Sequence, residues 1–150
     1  LLVGNTLFGG SSNSRLFLNV REKLSLCYFA SSTYHRQKGI ITVSSGIEFE
    51  NFQKAYDEIL LQLQEVAAGR LEDWELSGAR SVLLNAYAAM GDSQGSLENF
   101  YLGQAATGQE ETPEILARAV REVPAKRIFQ AMETVCLDTV YFLKGKEDAQ

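Results

Sequence analysis

The sequence is poor in the residues that metal and thiol chemistry require. Among 150 residues there is one histidine, His35, and there are two cysteines, Cys27 and Cys136. A protein zinc site takes three or four ligands, mostly histidine and cysteine, so we expect no cofactor and no metal site in this chain alone. The two cysteines lie far apart and form no Cys-x-x-Cys pair, which predicts free thiols and a reducing, cytoplasmic compartment.

Long apolar runs and a broad basic surface are also missing. No run of apolar residues approaches the 18 that a transmembrane helix needs, and the sequence contains no signal-peptide pattern. The net charge is −5 and the pI is about 4.9. Residues 1–40 carry five basic residues against one acidic residue, a sum of +4, so the remaining 110 residues sum to −9. We therefore expect neither nucleic acid nor a membrane as a partner.

The two prolines, Pro113 and Pro124, lie in no linker, and the sequence contains no repeat. A length of 150 residues suits one domain with its own core. We therefore predict a single domain over residues 1–150. Because the sequence begins Leu-Leu-Val, without methionine, we interpret it as a fragment of a longer protein.

Hydrophobic spacing and turn residues predict an α+β order of helix, hairpin, several helices and a final strand. The predicted helices are 14–23, 51–69, 72–90, 94–106, 113–121 and 124–134, and the predicted strands are 26–34, 39–46 and 136–143. This order is typical of a two-layer domain in which a small antiparallel sheet packs against helices. Three strands make a thin sheet, so we expect one or two opening strands of the natural domain to be absent from this sequence.

Arg21 and Tyr28 form the most suggestive local pair. Arg21 falls in the last turn of a predicted helix and Tyr28 near the start of the next strand. A guanidinium and a phenol on one surface could hold a carbonyl oxygen or a developing oxyanion. The alternative is that Arg21 pairs with a helix-end carbonyl or carboxylate while Tyr28 packs in the core. On the residues alone this alternative is the more common arrangement.

Three further features have ordinary structural interpretations. The turn 9–14 (GGSSNS) precedes a helix and could hold an anion, but it lacks the P-loop spacing and is better explained as a tight turn with a helix cap. The acidic residues that follow the hairpin, including Glu48, Glu65 and Glu75, are interpreted as a solvated face. His35 is interpreted as a solvated turn residue.

The segment 7–17 (LFGGSSNSRLF), followed by 20–28 (VREKLSLCY), resembles the pitrilysin/insulinase family of zinc peptidases, which includes mitochondrial processing peptidase. In that family a Gly-Gly-x-Ser-Ser-Arg-Leu-Phe segment leads to Arg-Glu-Lys-x-x-Leu-x-Tyr in the C-terminal half. The likeness continues through the hairpin and the helix 51–69 to the helix start at 71–76 (LEDWEL).

The resemblance implies a LuxS/processing-peptidase-like domain, one half of a clamshell that encloses a peptide. The zinc motif His-x-x-Glu-His belongs to the N-terminal half, so this chain resembles the non-metal C-terminal domain, and any zinc would lie in the other half or in a partner. Arg21 and Tyr28 match an arginine and a tyrosine that contact the substrate backbone in active relatives. The implied partners are a peptide or unfolded polypeptide, the N-terminal half or a homologous subunit, and a second copy of the chain.

The resemblance is not complete. Asn13 interrupts the glycine-serine segment, and Phe8 replaces a small residue. With these departures the sequence is more similar to a bacterial subset of the family, in which one partner of a pair has lost the zinc motif. The main hypothesis is a C-terminal domain that contacts the substrate and is not catalytic alone. The alternatives are a non-catalytic structural or partner-binding subunit of a two-chain complex and, less favoured, an unrelated anion-binding domain.

Overall fold

A computed structural model describes residues 1–145 of the chain. It confirms an α+β domain with a small antiparallel sheet and several helices. In chain order the elements are α1 (Leu2–Phe8), a π-helix (Leu16–Lys23), β1 (Cys27–His35), β2 (Ile40–Ile47), a 3₁₀ turn (Phe49–Asn51), α2 (Phe52–Ala67), α3 (Asp73–Ala89), a 3₁₀ turn (Met90–Asp92), α4 (Gln94–Thr107), α5 (Pro113–Glu122) and α6 (Ala125–Glu133).

The short helix α1 is the centre of the core, and the sequence did not predict it. It contacts α2, α3, α6 and β1, and all of its residues from Val3 to Phe8 are buried. It has only seven residues, and its polar residues Asn5 and Thr6 are buried together with its apolar ones, so no amphipathic periodicity marks it as a helix. The surrounding core includes Leu16, Val66 and Met132, which are fully buried.

The hairpin formed by β1 and β2 confirms the predicted antiparallel pair. Its register runs from His35 opposite Ile40 to Phe29 opposite Gly46, and then Cys27 lies opposite Ile47. Tyr28 is therefore one extra residue in β1, which makes a β-bulge at that position. The turn closes through Gly39, whose φ of +64° suits glycine.

The helix predicted over 14–23 is present but is wound as a π-helix. Leu16, Val20 and Leu24 recur at i, i+4 and i+8, which predicts that they share the inner face of this helix. Leu16 and Val20 are fully buried, whereas Leu24 is 42% exposed. The amide of Leu24 donates to the carbonyl of Asn19, five residues back. A π-helix has more residues per turn than an α-helix, so the α-helical spacing that put Leu24 on the inner face does not hold.

The predicted helices after the hairpin are confirmed to within a few residues. Helix α2 ends before Gly69, whose φ is +68°, and the Thr112 hydroxyl caps α5 by accepting from the Ile115 amide. The sequence predicts that Pro124 lies in the first turn of a helix, but it is the N-cap of α6. Among residues 1–145, no helix combines the length and the apolar composition needed to cross a bilayer.

The interpretation of Glu75 as a solvated residue is wrong. Its side chain is only 6% exposed and lies against Arg15, with 2.6 Å between Glu75 Oε1 and Arg15 Nε. Arg15 Nη2 donates to Glu75 Oε2 and to the Arg70 carbonyl, both at 2.7 Å. Glu75 Oε2 also accepts from the Glu72 amide as part of a capping box. The pair therefore joins the segment before the π-helix to the first turn of α3.

The strand predicted over 136–143 is also wrong. The described residues after Val135 have no regular structure, and β1 and β2 are the only strands that the structure describes within residues 1–145. A strand needs a neighbour for its backbone hydrogen bonds, and this segment pairs with neither. Phe142 instead packs its ring on Phe52 and Phe49, at centroid distances of 4.4 and 5.9 Å.

Candidate functional site

Arg21 lies in the last turn of the π-helix and reaches the start of β1. Its Nε donates to the Tyr28 carbonyl at 2.9 Å, and its Nη1 lies 3.1 Å from Glu22 Oε1. The guanidinium carbon also lies 4.7 Å from the centre of the Phe17 ring, in cation–π contact. The guanidinium is thus oriented by three neighbours while its side chain stays 39% exposed.

Two local backbone features place Tyr28 beside Arg21. Ser25 has a φ of +50°, an uncommon left-handed conformation for a residue other than glycine, and it lies in the connection between the π-helix and β1. The bulge at Tyr28 then interrupts the regular alternation of β1 and turns this side chain outward, leaving it 69% exposed. Bulges and strained residues commonly lie beside functional sites, where they reorient a side chain.

The Tyr28 hydroxyl donates to Glu48 Oε1, across the open end of the hairpin. This hydrogen bond, together with the negative charge of Glu48, raises the pKa of the Tyr28 phenol above its ordinary value. The phenol is therefore protonated at neutral pH and can act as a donor. Sequence reasoning placed Glu48 on a solvated face; it is exposed, but it is also a neighbour of the site.

Arg21 and Tyr28 line two adjoining open grooves. One groove, of about 430 Å³, is bounded by Glu22, the segment 25–28, Glu48 and Asn51. The other groove, of about 530 Å³, runs between the glycine-serine turn 9–12, Phe17 and the first part of β1, residues 28–33. The two predicted residues are therefore shared by both grooves, and the alternative in which Tyr28 is a core residue is wrong.

The chemistry of this site is that of hydrogen-bond donation. The guanidinium of Arg21 has several N–H donors and never loses its charge under ordinary conditions, and the phenol of Tyr28 has one O–H donor. Neither group is a base or a nucleophile at neutral pH. Such a pair can hold a carbonyl oxygen and stabilise charge on it, but cannot by itself activate water.

The glycine-serine turn has a structural role. The Gly9 carbonyl accepts from the Ser32 amide at 2.8 Å, on the side of β1 that faces away from β2. The buried Asn5 and Ser32 side chains bond each other at 2.7 Å, and the Ser14 hydroxyl accepts from the Phe17 amide at 3.4 Å. These contacts are those of a tight turn with a cap, as the sequence predicted.

The remaining candidate groups do not form a second site. His35 ends β1, and its Nε2 lies 3.0 Å from Thr42 Oγ1. Cys27 and Cys136 are free thiols. Within residues 1–145, no group of three or more histidine, cysteine, aspartate or glutamate side chains is arranged to hold a metal ion. The described residues therefore do not fit a zinc ion, which the family resemblance assigns to the N-terminal half of active relatives.

Comparison with known proteins identifies relatives over most of the chain. Residues 1–83 match the family model of the peptidase M16 inactive domain. A Bacillus subtilis (strain 168) protein named probable inactive metalloprotease YmfF is 40% identical over 149 residues, which is 99% of this chain and 35% of that protein. A conserved protein from Enterococcus faecalis V583 of known crystal structure is 31% identical, with a TM-score of 0.79 over 88% of this chain and 31% of that one.

Both relatives are much longer than this chain, which spans about a third of their length. The family model covers α1, the π-helix, the hairpin, α2 and most of α3, and it therefore includes Arg21, Tyr28 and Glu48. The match over more than half of the chain shows its family. The chain belongs to the M16, or pitrilysin/insulinase, peptidase family and corresponds to the inactive C-terminal domain of such a protein.

Proposed function

We propose that this domain helps to form a peptide-binding chamber and contacts the substrate backbone through Arg21 and Tyr28, without being catalytic alone. The observation that carries the proposal is that both residues line both grooves. An extended peptide crossing from one groove to the other would pass both side chains. Its backbone carbonyls are the acceptors that a guanidinium and a phenol can hold.

The proposal extends to the setting of the domain. The chamber would be completed by the N-terminal half of the same polypeptide or by a homologous subunit, and a zinc ion, where one is used, would belong to that part. The substrate would be a peptide or an unfolded polypeptide. The two free thiols support a reducing compartment such as the cytoplasm.

A specific observation favours a second candidate, a non-catalytic structural or partner-binding subunit. The Bacillus subtilis relative is named a probable inactive metalloprotease. In addition, both donors already have partners within the chain, since Arg21 bonds the Tyr28 carbonyl and Tyr28 bonds Glu48. Under this candidate the pair would stabilise the hairpin and take no part in peptide binding.

Substitution of Arg21 and Tyr28 separates the two candidates. We expect Arg21→Ala and Tyr28→Phe each to weaken binding of an uncharged peptide about three- to tenfold, because each removes a donor to a backbone carbonyl. The measurement is an NMR titration of the chain with a capped decapeptide of alternating serine and alanine. This probe offers backbone groups and no charge.

Arg36→Ala is a matched control for Arg21→Ala. Arg36 is about as exposed as Arg21, and it pairs with Glu111 at 2.8 Å outside both grooves. We expect it to leave peptide affinity unchanged. Equal affinity of the wild type, Arg21→Ala and Tyr28→Phe proteins, with unchanged folds, would favour the structural candidate.

The second prediction is that the isolated chain binds no stoichiometric zinc and cleaves no peptide. The reason is that the described residues supply no group of three side chains arranged to hold a metal ion. Metal analysis after dialysis against zinc, together with a peptidase assay in its presence, checks this. Metal-dependent proteolysis by the purified chain would contradict the proposed role.

A further inference from the structure

We infer that Glu48 is an internal competitor for the Tyr28 hydroxyl and sets the affinity of the site for a peptide carbonyl. The inference rests on the proposed function, because it concerns the same donor. In this role Glu48 acts through Tyr28 and not on the peptide itself, and the wild-type carboxylate holds the site in a state that binds peptide more weakly.

The Tyr28 hydroxyl already has an acceptor within the chain. A phenol has a single O–H donor, and in this structure it is directed to Glu48 Oε1. A peptide carbonyl can therefore accept from Tyr28 only after the carboxylate has released it. Since hydrogen bonds to an ionised acceptor are about twice as strong as those between neutral groups, the carboxylate is the better of the two acceptors.

The fold holds Glu48 close to Tyr28. It directly follows β2, which ends at Ile47, and it precedes the 3₁₀ turn at Phe49. It is thus fixed at the open end of the hairpin, opposite the bulge that turns Tyr28 outward. Of the two grooves that Arg21 and Tyr28 line, Glu48 lines the one of about 430 Å³, so a peptide in that groove meets all three side chains.

The hydrogen bond between Tyr28 and Glu48 is exposed to solvent. Tyr28 is 69% exposed, and Glu48 is also exposed, so water can replace the phenol at the carboxylate when a ligand arrives. Exposed polar contacts of this kind contribute modestly and can be exchanged. The competitor is therefore strong enough to reduce affinity and weak enough to be displaced.

The experiment measures the affinity of the same serine-alanine decapeptide for the full chain carrying Glu48→Gln, Glu48→Ala or Glu50→Gln. We expect Glu48→Ala to lower the Kd about three- to tenfold and Glu48→Gln to lower it less, because a neutral amide oxygen still accepts from the phenol. Glu50→Gln is the control. It removes the same charge two residues further along, at an exposed position that lines neither groove, and we expect no change.

Repeating the Glu48 substitutions in the Tyr28→Phe background tests whether the effect passes through the phenol. We expect the gain in affinity to disappear there, which a general electrostatic effect of the carboxylate would not do. A second readout is the Tyr28 pKa, followed by the ¹³Cζ chemical shift. Glu48→Gln should lower this pKa toward the ordinary value, since the hydrogen bond to Glu48 is the main cause of its elevation.

The outcomes separate the two proposals. If Tyr28→Phe weakens peptide binding but Glu48→Ala does not strengthen it, the competitor role is overturned and the proposed function stands. If Glu48→Ala strengthens binding equally in both backgrounds, the competitor role is likewise overturned. If no variant, including the wild type, binds the peptide, both proposals are overturned.

Discussion

Glu75→Ala is expected to reduce the free energy of unfolding by about 3–5 kcal/mol, because it leaves the buried Arg15 charge without its salt-bridge partner. Arg15 is only 16% exposed and forms its salt bridge with Glu75, while the carboxylate of Glu65 lies farther away and interacts with it only through its charge. The substitution also removes the acceptor of the Glu72 amide at the start of α3. Urea unfolding followed by far-ultraviolet circular dichroism measures the effect.

Two further variants divide this loss into its parts. Glu75→Gln keeps an oxygen for the Glu72 amide and removes the charge. We therefore expect it to reduce the free energy of unfolding less than Glu75→Ala does. Glu111→Ala removes a carboxylate from the exposed pair with Arg36, and we expect little change because surface ion pairs contribute little. Equal losses for Glu111→Ala and Glu75→Ala would show that burial of the Arg15–Glu75 pair is unimportant.

Gly9→Ala is expected to destabilise the domain by about 2–3 kcal/mol through overpacking. A Cβ at this position would lie 2.7 Å from the backbone nitrogen of Ser32, 2.6 Å from Ser32 Oγ and 2.7 Å from Leu16 Cδ1. The backbone of β1 cannot move away without lengthening the hydrogen bond from the Ser32 amide to the Gly9 carbonyl. The φ of Gly9 is −153°, so the cost is one of space and not of backbone conformation.

Gly78→Ala is the matched control and should change stability in the opposite direction. Gly78 lies inside α3, and a Cβ there has no neighbour within 4 Å. Alanine is the better helix former, so we expect a gain of about 0.5–1 kcal/mol. Both variants can be measured by the same urea titration, and a loss of stability in Gly78→Ala comparable to that in Gly9→Ala would contradict the overpacking explanation.

Local patterns in the sequence predicted the hairpin and the later helices well. The strands flank a short polar turn with Gly39 at a positive φ, and the end of α2 is fixed by Gly69. These features depend on neighbours within a few residues, which periodicity and turn chemistry can detect. The residues themselves suggested the pairing of Arg21 with Tyr28, the family resemblance favoured its functional interpretation, and the structure places both residues on the same two grooves.

The features that were missed depend on contacts that are distant in the sequence. Glu75 is buried because Arg15, sixty residues earlier, lies against it, and no local pattern distinguishes it from its exposed neighbours. The segment 136–143 has the composition of a strand, but its structure depends on a pairing partner. Glu48 reaches Tyr28 because of a one-residue bulge, and the position of a bulge cannot be read from residue types alone.

The π-helix makes the segment before Arg21 sensitive to its length as well as to its composition. Its Leu24 amide bonds the carbonyl five residues back, whereas an α-helix advances about 100° per residue and bonds four residues back. Removal of one residue between Ser14 and Val20 would allow the segment to rewind as an α-helix, which would change the side chains that face the core between these two residues. Substitutions on the outer face of this segment can therefore accumulate during evolution more freely than single-residue insertions or deletions.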